Sequence, residues 1–360
     1  MRIEEIDKNF KSLNIPSDVV MTYYDVRKDP FKIFGLIYEN GAFCRIPEAV
    51  AKSVSDGVRT LNTNCAGGRV SFRTNSRYIC ISAKYNDIGK MAHFTTVGSS
   101  GFDMYCDNEY LKSFMPPYNL EDGYTSSVDL LAGRDRNLVI NFPTYSCVRE
   151  LYVGIEEGAT LEAYDPYLPI DPIVYYGSSI TQGGCVSRPG NTYEAKITRD
   201  LGIDHINLGY SGNARGEREM AEYINTLSMS AFVLDYDYNA PTPEHLEATH
   251  SKFFRLIRDR HPELPIIICS APCVPLKEER ERFEKRRAII LRTYSDALDR
   301  GDKNVYFVDG MSFFKDLDKN MCLVDGCHPN DLGFYCMAVS IEKAIIQAFN
   351  NKRIRENEIQ

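Results

Sequence analysis

Up to about residue 165, apolar and polar residues alternate with a period of two in short segments. The pattern is clearest in VSFRTNSRYICISAKYN (70–86), NLVINFPTY (137–145) and VRELYVGIE (148–156), with turn clusters such as CAGG and LAGRD around them. Such alternation is typical of strands with one buried face. It predicts an antiparallel β-sandwich. The exception is IPEAVAKSVSDGVRTL (46–61), a helix-like stretch that Pro47 and Gly57 shorten.

The pattern changes at the proline-containing stretch YDPYLPIDP (164–172). Apolar runs that resemble buried strands then alternate with long helical patterns. The predicted strands are IVYYG, HINLGY, AFVLDYDYN, PIIICSAP and NVYFVDG. This alternation predicts βαβ units, and hence a parallel sheet with helices on both faces. We therefore predict a sandwich domain at 1–165, a linker at 166–172 and an α/β domain at 173–360.

Composition and charge limit the classes of partner and the cellular compartment that we expect. The net charge of −8 and the pI near 5.4 argue against a nucleic-acid partner. No apolar run approaches the roughly 20 residues that span a bilayer, and no signal peptide is evident, so we expect no membrane partner. The 11 cysteines, several inside apolar segments, favour free thiols in a reducing cytoplasm. Their spacing predicts no structural metal.

Polar residues follow the predicted parallel strands, at the edge of the sheet where α/β proteins bind ligands. Gly177–Ser179 follows the first strand, Gly212 the second and Asn239 the third. The loop after the last strand contains Asp325–His328, a D-x-x-H arrangement. These residue types together indicate acyl transfer by an activated serine.

Each residue type has a chemical role in such a site. A serine hydroxyl needs a base to become a nucleophile, and His328 can supply it. Asp325 can hold that imidazole in the correct tautomer. The main-chain N–H of Gly212 and the side-chain amide of Asn239 can stabilise the oxyanion, and losing one such donor costs about 10²–10³ in rate.

The four segments resemble the blocks of the SGNH (GDSL-like) hydrolases across about residues 171–350. GSSIT puts Ser179 at the nucleophile position and Ser178 where many relatives have Asp. NLGYSGN and DGCHP match the second and last blocks, whereas DYNA retains only Asn239 of the usual Gly-x-Asn-Asp. The resemblance implies a flavodoxin-like three-layer fold, a triad of Ser179, Asp325 and His328, and an oxyanion hole that includes the Ser179 amide. It implies no cofactor and no metal.

The N-terminal half carries a second resemblance. GFDMYCDNEY (101–110) is similar to the GxDLY segment of a β-sandwich module, jelly-roll-like in fold, that precedes some bacterial SGNH domains, with Met104 in place of Leu. Those proteins are mostly carbohydrate esterases or lipase-like acylhydrolases. The resemblance therefore implies a serine esterase for short-chain acyl groups, chiefly acetyl, on a small-molecule or oligosaccharide substrate.

Several alternatives stay open at this point. Each motif alone is compatible with an ordinary turn, and Gly177–Ser179 with a phosphate cradle. The chain is alternatively a non-catalytic carbohydrate-binding or scaffold protein, or a lipase- or thioesterase-type acylhydrolase. Whether it forms a homo-oligomer also stays open. Arg188 is a candidate substrate-binding residue, with a surface arginine as the equal alternative. Asp235 and Asp237 fit a structural role as well as an acid–base one.

Overall fold

The computed structural model describes residues 13, 15–272 and 277–358, which form two compact units. The first unit holds the described residues up to Arg45, together with Thr63–Tyr167 and Ser187–Gly190. The second holds Ile46–Asn62, Leu168–Val186 and the described residues from Asn191 onward. The chain passes between the units after Tyr167, within the segment predicted as a linker.

Two segments lie in the unit opposite to the one predicted. Residues 46–62, expected in the sandwich, form the helices Glu48–Val54 and Asp56–Leu61 and belong to the second unit. Ser55 separates them, because its Oγ accepts a hydrogen bond from the Val58 N–H and starts the second helix. Short helices need an apolar surface to pack on, and here Val58 is fully buried in the core of the second unit. The other segment is Ser187–Gly190, which belongs to the first unit.

The first unit is a sandwich of antiparallel sheets, as predicted. One sheet has the strand order β1-β11-β6-β9, the other has the order β12-β5-β10-β7-β8 with β2 beside β5, and β3 pairs with β4. The strands are β1 Met21–Asp25, β2 Lys32–Phe34, β3 Ile37–Glu39, β4 Ala42–Cys44, β5 Arg69–Thr74, β6 Tyr78–Asp87, β7 Phe102–Cys106, β8 Glu109–Phe114, β9 Gly123–Asp129, β10 Arg136–Asn141, β11 Cys147–Glu156 and β12 Leu161–Glu162. A short helix spans Thr96–Ser100.

The two larger sheets share one core, which explains the period-two pattern. Ile79 and Ile81 of β6, Leu138 and Ile140 of β10 and Val153 of β11 are all fully buried in it. Alternate residues of β9 are buried along its whole length. Successive side chains of a strand point to opposite faces, so a strand with one face on the core buries alternate residues, as β9 does.

The second unit is built on a five-stranded parallel sheet of order β14-β13-β15-β16-β17, which confirms the predicted α/β class. Its strands are β13 Ile173–Gly177, β14 His205–Gly209, β15 Ala231–Asp235, β16 Ile266–Cys269 and β17 Val305–Val308. Its helices after β13 are Ser179–Gln182, Tyr193–Leu201, Arg218–Ile224, Pro243–Arg260, Arg280–Asp299 and Asp331–Glu358. Most strand residues are buried, as expected for a sheet covered on both faces.

The C-terminal helix is unusually apolar. Within the described residues, Asp331–Ile354 is the one stretch long and apolar enough to cross a membrane, by length and composition alone. Core helices of soluble proteins pass the same test. Phe334, Met337 and Ile341 on this helix are fully buried in the protein, so much of its apolar character is explained by packing.

Candidate active site

The turn after β13 places Ser179 at the start of a four-residue helix, Ser179–Gln182. Ser178 is the N-cap residue, and its Oγ accepts a hydrogen bond of 3.1 Å from the Ile180 N–H. A serine here performs the capping that an aspartate would perform in many relatives, because both offer a side-chain oxygen. The helix ends at Gly183, which has a left-handed φ of 97°.

Two glycines let this helix approach the sheet closely. A Cβ on Gly177 would lie 2.0 Å from Thr181 Oγ1, and a Cβ on Gly209 would lie 2.2 Å from the main-chain nitrogen of Gln182. Any side chain at either position would push the helix away from the strand ends. The glycines of the first two motifs therefore have a packing role at the site.

The structure brings Ser179, His328 and Asp325 together. Ser179 Oγ lies 2.9 Å from His328 Nε2, and Asp325 Oδ2 lies 2.8 Å from His328 Nδ1. The Ser179 residue is 9% exposed. The order of atoms is that of a nucleophile, a base and an orienting carboxylate.

The D-x-x-H loop is fixed mainly by its own main chain. Asp325 Oδ1 accepts hydrogen bonds from the main-chain N–H groups of His328 (2.7 Å) and Cys327 (3.0 Å), which leaves Oδ2 for the imidazole. Burial acts to raise the pKa of Asp325, but the hydrogen bonds from His328 and Cys327 outweigh it and lower the pKa to about 2. The carboxylate is therefore ionised at neutral pH and is held in line with His328 Nδ1.

Two of the three predicted oxyanion donors, Gly212 and Asn239, are brought together, but they are hydrogen-bonded to each other. The Gly212 N–H donates to Asn239 Oδ1 over 3.0 Å, and Asn239 Nδ2 donates to the Tyr210 carbonyl over 2.7 Å. A donor on one side and an acceptor on the other set the orientation of the amide. Only the second hydrogen of Asn239 Nδ2 is left, so Gly212 must exchange its hydrogen bond before it can serve an oxyanion.

Arg188, the candidate substrate-binding residue, lies in the first unit. Its Nη1 donates to Asp103 Oδ2 over 2.7 Å and also bonds to the Tyr105 hydroxyl, while its guanidinium lies 3.9 Å from the ring centroid of Tyr110. Asp103 is fully buried and also accepts the Gly190 N–H. The guanidinium thus neutralises a buried carboxylate, which is a structural role that the surface-arginine alternative missed.

Asp235 and Asp237 both have structural contacts. Asp235 Oδ2 accepts hydrogen bonds from Thr181 Oγ1 (3.2 Å) and the Tyr193 hydroxyl (3.1 Å), so it supports the helix of Ser179. Asp237 forms a buried ion pair of 2.8 Å with Arg286. Thr181 is the last residue of the first motif and Tyr193 lies beyond it, but no local pattern marks either as a partner of Asp235.

The pair of Asp237 and Arg286 holds the turn that contains Asn239. Arg286 also donates to the Ala240 carbonyl, and Asp237 Oδ2 accepts the Ala271 N–H. Arg286 is 3% exposed, although it lies in a highly charged helix. The sequence signal for it was its position, three residues from the buried Phe283 and four from the buried Ile290.

Two thiols are electrostatically linked to the triad. Burial, with smaller contributions from Asp325 and Cys327, raises the pKa of the Cys185 thiol to about 12. Burial and Asp325 likewise raise the pKa of Cys327 to about 11. None of the ten cysteines in the described part of the chain is in a disulfide.

Comparison with protein families covers both halves of the chain. Residues 170–346 match the GDSL-like lipase/acylhydrolase family, and residues 21–161 match the GxDLY N-terminus of SGNH-hydrolase-type esterases. Among curated proteins, no match is found.

Several solved structures match this protein over most of its chain. A GDSL-like lipase candidate from Bacteroides ovatus is 28% identical, with a TM-score of 0.83, and the match covers 92% of this chain and 98% of that one. A salicylyl-acyltransferase from a tetracycline biosynthetic pathway is 21% identical, with a TM-score of 0.73 and coverage of 91% and 97%. A family two carbohydrate esterase from Clostridium thermocellum, in complex with cellohexaose, is 18% identical, with a TM-score of 0.59 and coverage of 80% and 94%.

Proposed function

We propose that the protein cleaves short-chain acyl esters, chiefly acetyl, on a carbohydrate. The chain joins a GDSL-like lipase/acylhydrolase domain to the GxDLY N-terminal domain of SGNH esterases, and it is therefore an ester hydrolase. The observation that carries the proposal is the hydrogen-bonded series Ser179, His328 and Asp325. The carbohydrate part draws on the likeness to carbohydrate esterases, which is a likeness of fold.

In this proposal Ser179 Oγ attacks the acyl carbonyl while His328 Nε2, 2.9 Å away, takes its proton. The imidazolium that forms is stabilised by Asp325, which is ionised and correctly placed. His328 then passes the proton to the leaving alcohol. In the second half of the reaction, His328 takes a proton from water, and the oxygen of that water attacks the acyl carbon. The bond between Ser179 Oγ and the acyl carbon then breaks, the acid leaves, and His328 returns the proton to Ser179 Oγ.

The oxyanion is stabilised by the remaining amide hydrogen of Asn239 and by the Ser179 and Gly212 main-chain amides. Gly212 contributes only after it releases Asn239 Oδ1, so its donor is recruited by the developing charge. Such an exchange favours the transition state over the ground state, because the stronger acceptor appears only during the reaction.

The test compares two adjacent serines. Ser179→Ala should lower kcat on 4-nitrophenyl acetate by up to about 10⁶-fold, the loss measured for serine nucleophiles. Ser178→Ala removes only the helix cap and should lower the free energy of unfolding by about 1 kcal/mol. This variant should still hydrolyse 4-nitrophenyl acetate. Equal losses in both variants, or turnover that survives Ser179→Ala, would contradict the assignment of the nucleophile.

The substrate class is tested with wild-type protein. We expect rates on 4-nitrophenyl esters to fall steeply from acetate to dodecanoate, and acetate to be released from acetylated cello- and xylo-oligosaccharides. A preference for long chains would favour a lipase instead. A folded protein that hydrolyses none of these esters but binds the sugars would favour a non-catalytic carbohydrate-binding protein.

A cytoplasmic location belongs to the same proposal. The ten cysteines of the described residues are in no disulfide, which supports a reducing compartment. Cell fractionation with an antibody against the protein checks it, and recovery in the medium or the envelope would contradict it.

A further inference from the structure

A buried thiol lies beside the imidazole of the triad. Cys185 Sγ and a ring nitrogen of His328 are within 4.8 Å of each other. Cys185 is 6% exposed, and no hydrogen-bond partner for its thiol is found among the described residues. It follows Ser179 by six residues, in the turn after the nucleophile helix. The proposed esterase mechanism does not use this thiol.

The imidazole is already arranged as a metal ligand. Its Nδ1 is hydrogen-bonded to Asp325 Oδ2 at 2.8 Å, so Nε2 is the nitrogen that can bind a metal ion. Metal-binding histidines commonly have this arrangement, because a carboxylate on one nitrogen fixes the tautomer and makes the other nitrogen a stronger ligand. Ser179 Oγ, 2.9 Å from Nε2, adds an oxygen on the same side.

We propose that Cys185 Sγ and His328 Nε2 form an inhibitory site for a zinc-like divalent cation. A thiolate and an imidazole are the ligands that Zn²⁺ prefers, whereas Mg²⁺ and Ca²⁺ prefer oxygen. In a tetrahedral zinc site, sulfur and nitrogen ligands are about 3.6 Å apart, from bonds of about 2.3 and 2.1 Å. Cys185 Sγ lies within 4.8 Å of a ring nitrogen of His328, so a small movement of the Cys185 side chain forms the site.

Charge and proton balance are consistent with this site. The cation displaces the thiol proton to solvent, and the thiolate together with the Asp325 carboxylate offsets both positive charges. With Nε2 bound to the cation, His328 has no lone pair to accept the Ser179 proton. The site therefore regulates the proposed reaction by blocking its base, and its effect on rate rests on the proposed function.

Inhibition is measured by titrating Zn²⁺ into the 4-nitrophenyl acetate assay, with each variant compared with its own metal-free rate. Cys185→Ser should raise the inhibitory Zn²⁺ concentration at least tenfold, because loss of even an outer-shell partner costs about 10–100-fold in metal affinity. Cys106→Ser alters a half-buried thiol of the first unit and should leave the inhibition curve unchanged. Equal inhibition of wild type and Cys185→Ser would overturn the proposal.

Metal binding itself is measured without substrate, by the thiolate-to-metal charge-transfer band of added Co²⁺. Wild type and Ser179→Ala should show the band, and Cys185→Ser should not. Cys322 and Cys336 are neighbouring thiols and form a competing pair, so Cys336→Ser must keep the band. A band absent from wild type, or lost with Cys327→Ser or Cys336→Ser but kept in Cys185→Ser, overturns the assignment. A protein without esterase activity that shows the expected bands would refute the proposed function and retain the metal site.

Discussion

The carboxyl group of Asp235 should make the protein less stable as the pH rises towards neutrality. Asp235 is 4% exposed, and its contacts within the second unit are the hydroxyls of Thr181 and Tyr193. Burial is the main reason that its pKa is raised from 3.8 to about 7; the two hydroxyl donors act to lower it, and Asp237 adds to the increase. Glu194 and Cys269 also interact electrostatically with it.

The sign follows from the protons bound in each state. Between about pH 4 and pH 7 the folded protein keeps a proton on Asp235 that the unfolded chain has released, so the free energy of unfolding falls as the pH rises. An interval of about 3 pH units, at 1.36 kcal/mol per unit, corresponds to about 4 kcal/mol. Above about pH 7 both states are ionised and the loss is complete.

Asp235→Asn isolates this contribution, because asparagine resembles the protonated acid. Its Oδ1 can accept both hydroxyls, since both bind the same carboxylate oxygen, Oδ2, in the wild type. We expect the stability of the variant minus that of the wild type to increase by about 4 kcal/mol from pH 4 to pH 7 and then to remain constant. Subtraction removes the titration of all groups that the two proteins share.

The assay is urea unfolding followed by far-ultraviolet circular dichroism at a series of pH values. Asp299→Asn, at an exposed position on the helix Arg280–Asp299, is the matched control and should show no such trend. If the two units unfold separately, only one of the two transitions should move. A difference between Asp235→Asn and wild type that does not change with pH would refute the reasoning, since the buried acid would then not titrate as its surroundings require.

Three further predictions test contacts that stabilise the second unit. Arg286→Ala leaves Asp237 buried without a counter-ion and should lower the free energy of unfolding in urea by about 3–5 kcal/mol. Arg292→Ala, which breaks an exposed ion pair, should lower it by at most about 1 kcal/mol. Combining Arg286→Met with Asp237→Asn should recover most of the loss, and no recovery would contradict the ion-pair explanation. Gly209→Ala should lower kcat and stability together, because its Cβ would overlap the main chain of the helix Ser179–Gln182; wild-type kinetics would contradict the close approach. Ser55→Ala should lower the free energy of unfolding by about 1 kcal/mol, and an unchanged value would show that its cap is dispensable.

The parallel sheet could be predicted because its signal is local. Each of its strands is a short apolar run followed by a helical pattern, and right-handed crossovers leave few ways to connect them. The same topology brings the residues after β13, β14 and β15 to one edge, so the side chains that meet there could be predicted as well. Contact between Ser179 and His328, 149 residues apart, follows from the sheet and not from any local pattern.

Residues 46–62 show where local signals fail. Their helical pattern was visible, but the surface on which the helices pack was not, because an amphipathic helix of one or two turns fits any apolar face. Sequence order placed them with the sandwich, whereas Ile46 and Val58 lie in the core of the second unit. The hydrogen bond between Gly212 and Asn239 could not be predicted from local signals either, because it depends on the side-chain conformation of an amide 27 residues away.

The ion pairs were the least predictable contacts of the structure. One of them explains how the third motif keeps its geometry although its sequence departs from the family pattern. The chain has 42 Lys and Arg and 50 Asp and Glu residues, so the sequence alone allows far too many pairings to choose among. Only the fold selects Arg286 for Asp237 and Arg188 for Asp103. The third block lacks the usual Gly-x-Asn-Asp, yet Asn239 is held because the Asp237 ion pair fixes its turn. A motif can therefore lose its local pattern and keep its geometry when a distant charged residue supplies the support.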